Sequence, residues 1–291
     1  MIWFVLRKLA GFAATMLATA AILYWLLAMV PQSSARSGDF FSWLGHMLLG
    51  DFGASAAGGA VGSQIAARLA VTIPLALMAI LIAALIGFGL GLLAAFRPDS
   101  IGDRALGALG EVAVATPNFW VGMVLVLALA RGLHWLPPGG FVPWQDNFGA
   151  ALASLLLPAL ALAVPPAGAL ALKVHAALTK AGTSIHVLAG RARGLTEREA
   201  MMRHGWRPAL LTLATPLGLL FAAILAGTVI VENVFYLPGL GRLILDAIAG
   251  RDVVTVRAGL MILMLLISGT IFLLDLCIGW IDPRIGAEVP E

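Results

Sequence analysis

The sequence predicts an all-α, polytopic membrane protein of six transmembrane helices, with both termini in the cytoplasm and a single domain over residues 1–291. Three observations predict it: the composition, the spacing of the apolar runs and the placement of the basic residues. Of the 291 residues 61% are hydrophobic and 11% charged, and the mean hydropathy is +0.99. Soluble domains carry roughly 25% charged residues. A chain of this size has too few charges to cover a surface that faces water, so lipid is the solvent for much of it.

A helix crosses the hydrocarbon core with about 20 apolar residues. Six stretches meet that length, at roughly 9–30, 71–95, 112–131, 153–173, 208–231 and 257–281. The first follows Arg7-Lys8. Its apolar run exceeds the roughly 7–15 residues of a signal-peptide core, and no small-residue cleavage site closes it, so it reads as a retained helix. With the N-terminus inside, twelve of the eighteen Lys and Arg fall in inner segments, as the positive-inside rule requires. Basic residues dispersed between apolar runs are topology charge, which excludes nucleic acid as a partner and leaves membrane lipid as the immediate one. The single cysteine, Cys277, lies in an apolar run, so no disulfide framework exists. His46, His134, His175, His186 and His204 show no i, i+4 metal-ligand pair. Nucleophile-elbow and H-E-x-x-H patterns are absent, which argues against a membrane-embedded enzyme.

The outer segments differ in character. Residues 31–70 are rich in Gly, Ser and Ala with Phe40, Phe41, Trp43 and Phe52, and predict a short interfacial helix plus a loop. Residues 132–152, with Trp135, Pro137, Pro138, Gly139, Gly140, Pro143 and Trp144, predict a turn-rich loop with interface-seeking tryptophans. Residues 232–256 contain Pro238-Gly239-Leu240-Gly241. No internal repeat of the kind found in many secondary carriers is visible. Pro74, Pro117, Pro158 and Pro216 are tolerated in membrane helices and bend them, and Gly87, Gly89 and Gly91 permit close helix contact. Asp275 sits in the last apolar run, where a charge is expensive. It reads either as functional or as a polar contact to a neighbouring span or partner, and the contact is favoured. Glu232 ends the fifth span, as an outer-gate residue or as a cap for the Pro-Gly turn, and the turn is favoured.

The segment at 174–207 is the most polar. Ser184 is placed to cap a helix over Ile185–Arg193, and Gly194 stands where helices end in the left-handed conformation. Thr196-x-x-Glu199 is a capping-box pattern that restarts a helix, which carries Arg198, Arg203, His204 and Arg207 before Pro208 opens the next span. Helix, glycine turn, helix makes an elbow. Its apolar residues Val187, Leu188, Leu195, Met201 and Met202 suit a partner's groove. An amphipathic connector lying on an anionic inner leaflet has the same composition, so both readings stand on the residues alone.

The run Val187-x-x-x-Arg191-Ala192-Arg193-Gly194-Leu195, then Arg203-His204-x-x-Arg207-x-Ala209, resembles the EAA coupling loop of ABC-importer permeases of the dipeptide/oligopeptide/nickel group. Glu232-Asn233-Val234-Phe235-x-x-Pro238-Gly239-Leu240-Gly241-Arg242-Leu243, followed by Asp246-Ala247-Ile248 and Arg251-Asp252, is similar to that group's signature. So are Asp275 with Asp282-Pro283-Arg284, and Gly50-Asp51-Phe52-Gly53-x-Ser55. The blocks are collinear over nearly the whole chain. Leu188, Gly190 and His186 depart from the group's usual Arg, Ala and Tyr, and the first outer loop is short and lacks P-G-D-P.

The resemblance implies a type I importer permease (MetI-like) in a bacterial inner membrane. Its implied partners are a second homologous permease, as a heterodimer, two cytoplasmic ABC ATPases and an extracytoplasmic solute-binding protein. It implies coupling to the ATPases through Arg191, Ala192, Arg193, Gly194, Leu195, Glu199, Arg203 and His204. Glu232, Phe235, Pro238, Gly239 and Gly241 become candidates for the pathway or outer gate. The implied cargo is a short peptide, with nickel, a metal chelate or an opine-like solute as alternatives. No cofactor is expected on this chain, ATP and Mg belonging to the ATPases. The three lysines follow Arg7, Leu172 and Thr179, so no P-loop Gly-Lys is present. Energy must come from a partner or, on the competing reading of a secondary carrier, from an ion gradient.

Overall fold

A computed structural model of the chain describes residues 2–29, 39–56 and 58–281. The Asp282-Pro283-Arg284 block and residues 30–38 lie outside the described residues. The named elements are helices: α1 Ile2–Ala28, α2 Phe40–Leu48, α3 Val61–Ala95, α4 Ile101–Ala115, α5 Asn118–Leu125, α6 Phe148–Gly182, α7 Ile185–Ala192, α8 Glu197–Ala200, α9 Trp206–Val234, α10 Leu240–Ala249 and α11 Val253–Ile281. Five of them are long and apolar enough to cross a membrane, and α4 with α5 makes a sixth if the bent pair counts as one span.

The predicted span at 112–131 is not one rod. α4 and α5 meet at an angle of 106°, and α5 runs on through a π-helical stretch, Val126–Gly132. Thr116 and Pro117 are both extended, with ψ of 126° and 139°. The cause is chemical. A residue preceding proline is pushed out of the α region, and Pro117 has no N–H with which to continue the ladder. Other boundaries move as well: α1 begins at Ile2 rather than 9, α3 begins ten residues ahead of the predicted 71, and α6 runs from Phe148 past 173 to Gly182, so the first turns assigned to the polar segment are still span.

α6 is the central staff. Leu155, Leu157, Ala159, Ala161, Leu162 and Ala163 are fully enclosed, in a core shared with Val71, Leu75 and Ala79 of α3 and Ile224 and Val231 of α9. The α3–α6 pair runs parallel and close because of two glycines. A Cβ on Gly87 would fall 2.8 Å from Leu170, and one on Gly91 2.6 Å from the Ala171 carbonyl, while Gly89 meets nothing within 4 Å. Close backbone approach of this kind is what drives helix association in lipid. Pro74 cannot donate to the Ala70 carbonyl one turn back, and the Trp144 indole N–H donates there instead at 2.9 Å. α1 and α11 pack at the periphery, antiparallel, through Phe12–Phe272 and Lys8–Asp275.

Candidate functional site

Three constellations carry polar chemistry: the elbow between α6 and α9, a bracket at the opposite end of α9, and the Lys8–Asp275 pair.

The elbow is built by two local motifs in succession. α7 ends as the Gly194 N–H donates to Arg191 O (2.9 Å) and the Leu195 N–H to Gly190 O (3.2 Å), a Schellman closure. Gly194 adopts φ +92°, which costs a side-chain-bearing residue strain but glycine none. Leu195 folds back over Gly190. Thr196 then opens α8. Its N–H and hydroxyl donate to Glu199 Oε2 at 2.9 and 2.8 Å, and the Glu199 N–H donates to Thr196 Oγ1 at 3.3 Å, a complete capping box. The Thr196 N–H and then its hydroxyl hold the Glu199 carboxyl below the usual carboxylate range. α8 runs through a π-helical turn, Met201–Gly205, into α9, so Pro208 sits inside the first turn of α9 rather than opening it. Ser184 has the extended backbone of a cap, yet its side chain makes no capping hydrogen bond.

The elbow has a buried inside and an exposed outside. Val187, Ala200 and Met201 join Leu170, Val174, Leu178, Ala209 and Leu213 in one apolar core, with Leu195 packed against it. Val187 and Met201 are thus committed inward, which corrects their assignment to a docking face: the core they complete belongs to α6 and α9. Ile185, Leu188 and Met202 remain exposed, among exposed Arg191, Arg193, Arg198 and Arg203. Ala192, Gly194 and Glu199 are exposed too, and His204 is half-buried against Gly190.

At the far end, Glu232 is wholly buried. Its Oε1 accepts from Thr72 Oγ1 at 2.6 Å, and its Oε2 from the N–H groups of Gly241 at 2.7 Å and Arg242 at 3.2 Å. Thr72 Oγ1 in turn accepts from the Leu240 N–H at 2.8 Å. A carboxylate therefore sits on the N-terminus of α10, where unpaired N–H groups and the helix dipole favour negative charge. Gly239 and Gly241 are pressed against that carboxylate with no room for a Cβ. Phe235, buried, wedges against Gly122 of α5, and its carbonyl accepts from the Gly140 N–H at 2.8 Å. Pro238 lies half-buried in the same turn. The structure brings these five residues into one internal bracket.

Two partners in this region were given no role by the sequence. Thr72 is one hydroxyl in an apolar run. Asp252, mostly buried, caps α11 through the Thr255 N–H and hydroxyl and also accepts from Ser55 Oγ at 2.6 Å and the Ala56 N–H at 3.0 Å. Burial opposes its ionised form, but these hydrogen bonds together outweigh burial and lower its pKa.

Asp275 lies apart from both. Lys8 Nζ stands 2.7 Å from its Oδ2, with each side chain about a third exposed (34% and 30%). Among the described residues no three His, Cys, Asp or Glu gather as a metal site.

Fold and site together define a class: a multispan helical membrane protein whose central spans are joined by a compact polar elbow. The chain belongs to the family of binding-protein-dependent transport system inner membrane components, whose pattern it matches over residues 87–287, and is accordingly a multi-pass inner membrane protein. It is 33% identical to an oligopeptide transport system permease protein of Bacillus subtilis (strain 168), over 85% of this chain and 79% of that one. A glutathione transport system permease protein of Salmonella typhi is 28% identical, over 98% of this chain and 99% of its own. A putative peptide transport system permease protein of Brucella abortus (strain 2308) is 32% identical over 69% of this chain, which spans 64% of the length of that relative.

Proposed function

We propose that the chain is the permease subunit of an ATP-driven, binding-protein-dependent importer, forming half of the passage for peptides or similar small solutes. The observation that carries this reading is the elbow. Two stacked capping motifs present Ile185, Leu188 and Met202 within a ring of arginines, while the inner side shares one core with the ends of α6 and α9. Such an element takes a push from outside and passes it to two spans as a unit. The basic-residue count supports a cytoplasmic position for it, where ATPase subunits would grip it.

On this reading the chain is non-catalytic, with ATP and Mg bound by the ATPases. A second, homologous permease completes the passage, and an extracytoplasmic binding protein delivers the cargo. Closure of the ATPases would press on residues 184–207, turn α6 and α9, and alternate access between the two sides. The Glu232 bracket would keep the far end of α9 fixed to α3 and α10 as it turns. The relatives' names favour peptides over nickel, metal chelates or opine-like solutes. A gradient-driven carrier would want its ionisable pair in the core, and Lys8–Asp275 lies at the periphery. The test is uptake of radiolabelled peptide into proteoliposomes holding both permeases, the ATPases and the binding protein. Uptake should require internal ATP and all four components. Gradient-driven uptake by this chain alone, without ATP, would overturn the proposal.

A further inference from the structure

Two cavities meet at the elbow end of α3. The first, about 730 Å³, is floored by Leu93, Leu178, Val187 and Met201 and rimmed by Arg97, Arg191 and Arg198. The second, about 660 Å³, runs between α3, α4 and α6 over Leu90, Leu109, Ala113, Val164 and Gly168, and is almost wholly apolar. Leu93 and Arg97 line both. An arginine-rimmed chamber thus adjoins an oily groove between the inner ends of three spans, with Arg97 at the boundary.

Among the described residues the three arginines have no partner of opposite charge, and Arg198 rests over the Phe96 ring at 5.8 Å. Asp103 of α4 is already engaged: it accepts from the Asp99 N–H and pairs with His175 at 3.1 Å. Three cations converge on a cavity whose neighbour is shaped for hydrocarbon.

We propose that the paired cavities bind one anionic phospholipid of the leaflet on the elbow side. Its phosphate sits on Arg97, Arg191 and Arg198, and one acyl chain lies in the α3–α4–α6 groove. Charge complementarity argues for an anion, since basic pockets between helices at that depth recognise lipid head groups. The adjoining apolar groove argues for a tail, which a free phosphate lacks. The bound lipid would tie the end of α3 to α7 and α8, seating the elbow on the bundle. This stands whether or not the cargo is a peptide.

The test uses the full chain, alone and with its ATPase subunits, in nanodiscs of phosphatidylcholine containing either phosphatidylglycerol or phosphatidylethanolamine. The protein is released into detergent and bound lipid is counted by native mass spectrometry. Phosphatidylglycerol should be retained in preference to phosphatidylethanolamine. Arg97→Gln should lower retention about fivefold, the effect of one surface arginine on an anionic lipid, and Arg97→Lys should restore much of it. Ala113→Trp, which fills the groove and spares the arginines, should also release the lipid, while Arg251→Gln at the opposite end should change nothing. Equal retention of both lipids, or unchanged retention in Arg97→Gln, would overturn the proposal. So would displacement by inorganic phosphate alone, which assigns the rim to a free anion, or loss of lipid when the ATPases bind, which assigns it to a protein contact.

Discussion

The elbow and the bracket sit at opposite ends of α9, and each fixes how that helix meets the next, but by different means. The elbow's hydrogen bonds join residues three to five apart, from Gly190–Leu195 to Thr196–Glu199, and most of its polar groups face water. The bracket's two bonds to Thr72 join residues 160 and 168 apart and are buried, and they are tied to the Gly241 and Arg242 N–H bonds nine and ten residues from Glu232. A motif closed by local bonds on the surface keeps its shape when the whole segment is pushed. A buried long-range network has one arrangement only, because any displacement strands polar groups in an apolar interior. The elbow is therefore suited to be moved and the bracket to stay put.

The strongest way to break that contrast is Glu232→Ala. It removes the acceptor for the Thr72 hydroxyl and for the Gly241 and Arg242 N–H groups, leaving buried donors unpaired at about 1–3 kcal/mol each. We expect a loss of roughly 3 kcal/mol or more in total, read as a large drop in the thermal midpoint in detergent. Glu232→Gln, which keeps an acceptor oxygen, should lose less. An unchanged midpoint in Glu232→Ala would mean that the bracket is not a structural anchor.

Gly194→Val attacks the elbow instead. Holding a β-branched residue at φ +92° costs roughly 1–2 kcal/mol, confined to a surface turn. The thermal midpoint should shift little while ATP-dependent uptake collapses, because the angle between α7 and α8 is lost. Gly194→Asn, a residue that tolerates the left-handed region, should keep most of the uptake. A Gly194→Val protein that transports normally would show that the turn does not set the coupling geometry.

The same contrast explains what was legible in the sequence. Gly194, Thr196 and Glu199 were readable because capping motifs are written within one stretch of chain. The apolar spans were readable because hydrocarbon demands a run of fixed length. The contacts of Thr72, Ser55 and Lys8 were not, since each acquires its role from a residue more than 150 positions away. The break at Thr116–Pro117 was signalled by the proline, but its size depends on how α4 and α5 pack on α6. There Gly110 and Gly168 leave no room for a Cβ: one on Gly168 would lie 2.7 Å from the Ala113 methyl. The inward commitment of Val187 and Met201 depends on α6 running to Gly182, beyond its apolar stretch.

A smaller effect is expected from pH at the far-end clip. Asp252 has its pKa lowered in the folded chain, so its contribution is fully present above the ordinary aspartate value of about 3.9 and fades as pH falls through the folded value. The thermal midpoint of the native chain should be level down to about pH 5 and then fall more steeply than that of Asp252→Asn, which has no such proton to take up. Parallel curves for the two proteins would show that the Ser55–Asp252 clip carries no linked stability.

The smallest effect is expected at Lys8–Asp275, which separates the two variables that the elbow and the bracket confound. The pair is long-range like the bracket, 267 residues apart, yet about a third exposed, which brings it nearer the elbow. If sequence separation governs rigidity, breaking it should cost as much as Glu232→Ala. If burial governs, the pair should be worth no more than about 1 kcal/mol, the usual ceiling for an exposed ion pair. We expect the second. Lys8→Met, Asp275→Asn and the double variant form a thermodynamic cycle in which the coupling should stay within about 1 kcal/mol. α1 should remain docked through Phe4 against Gly279 and Phe12 against Phe272. A coupling several times larger would move the pair into the class of the bracket and make α1 part of the fixed frame.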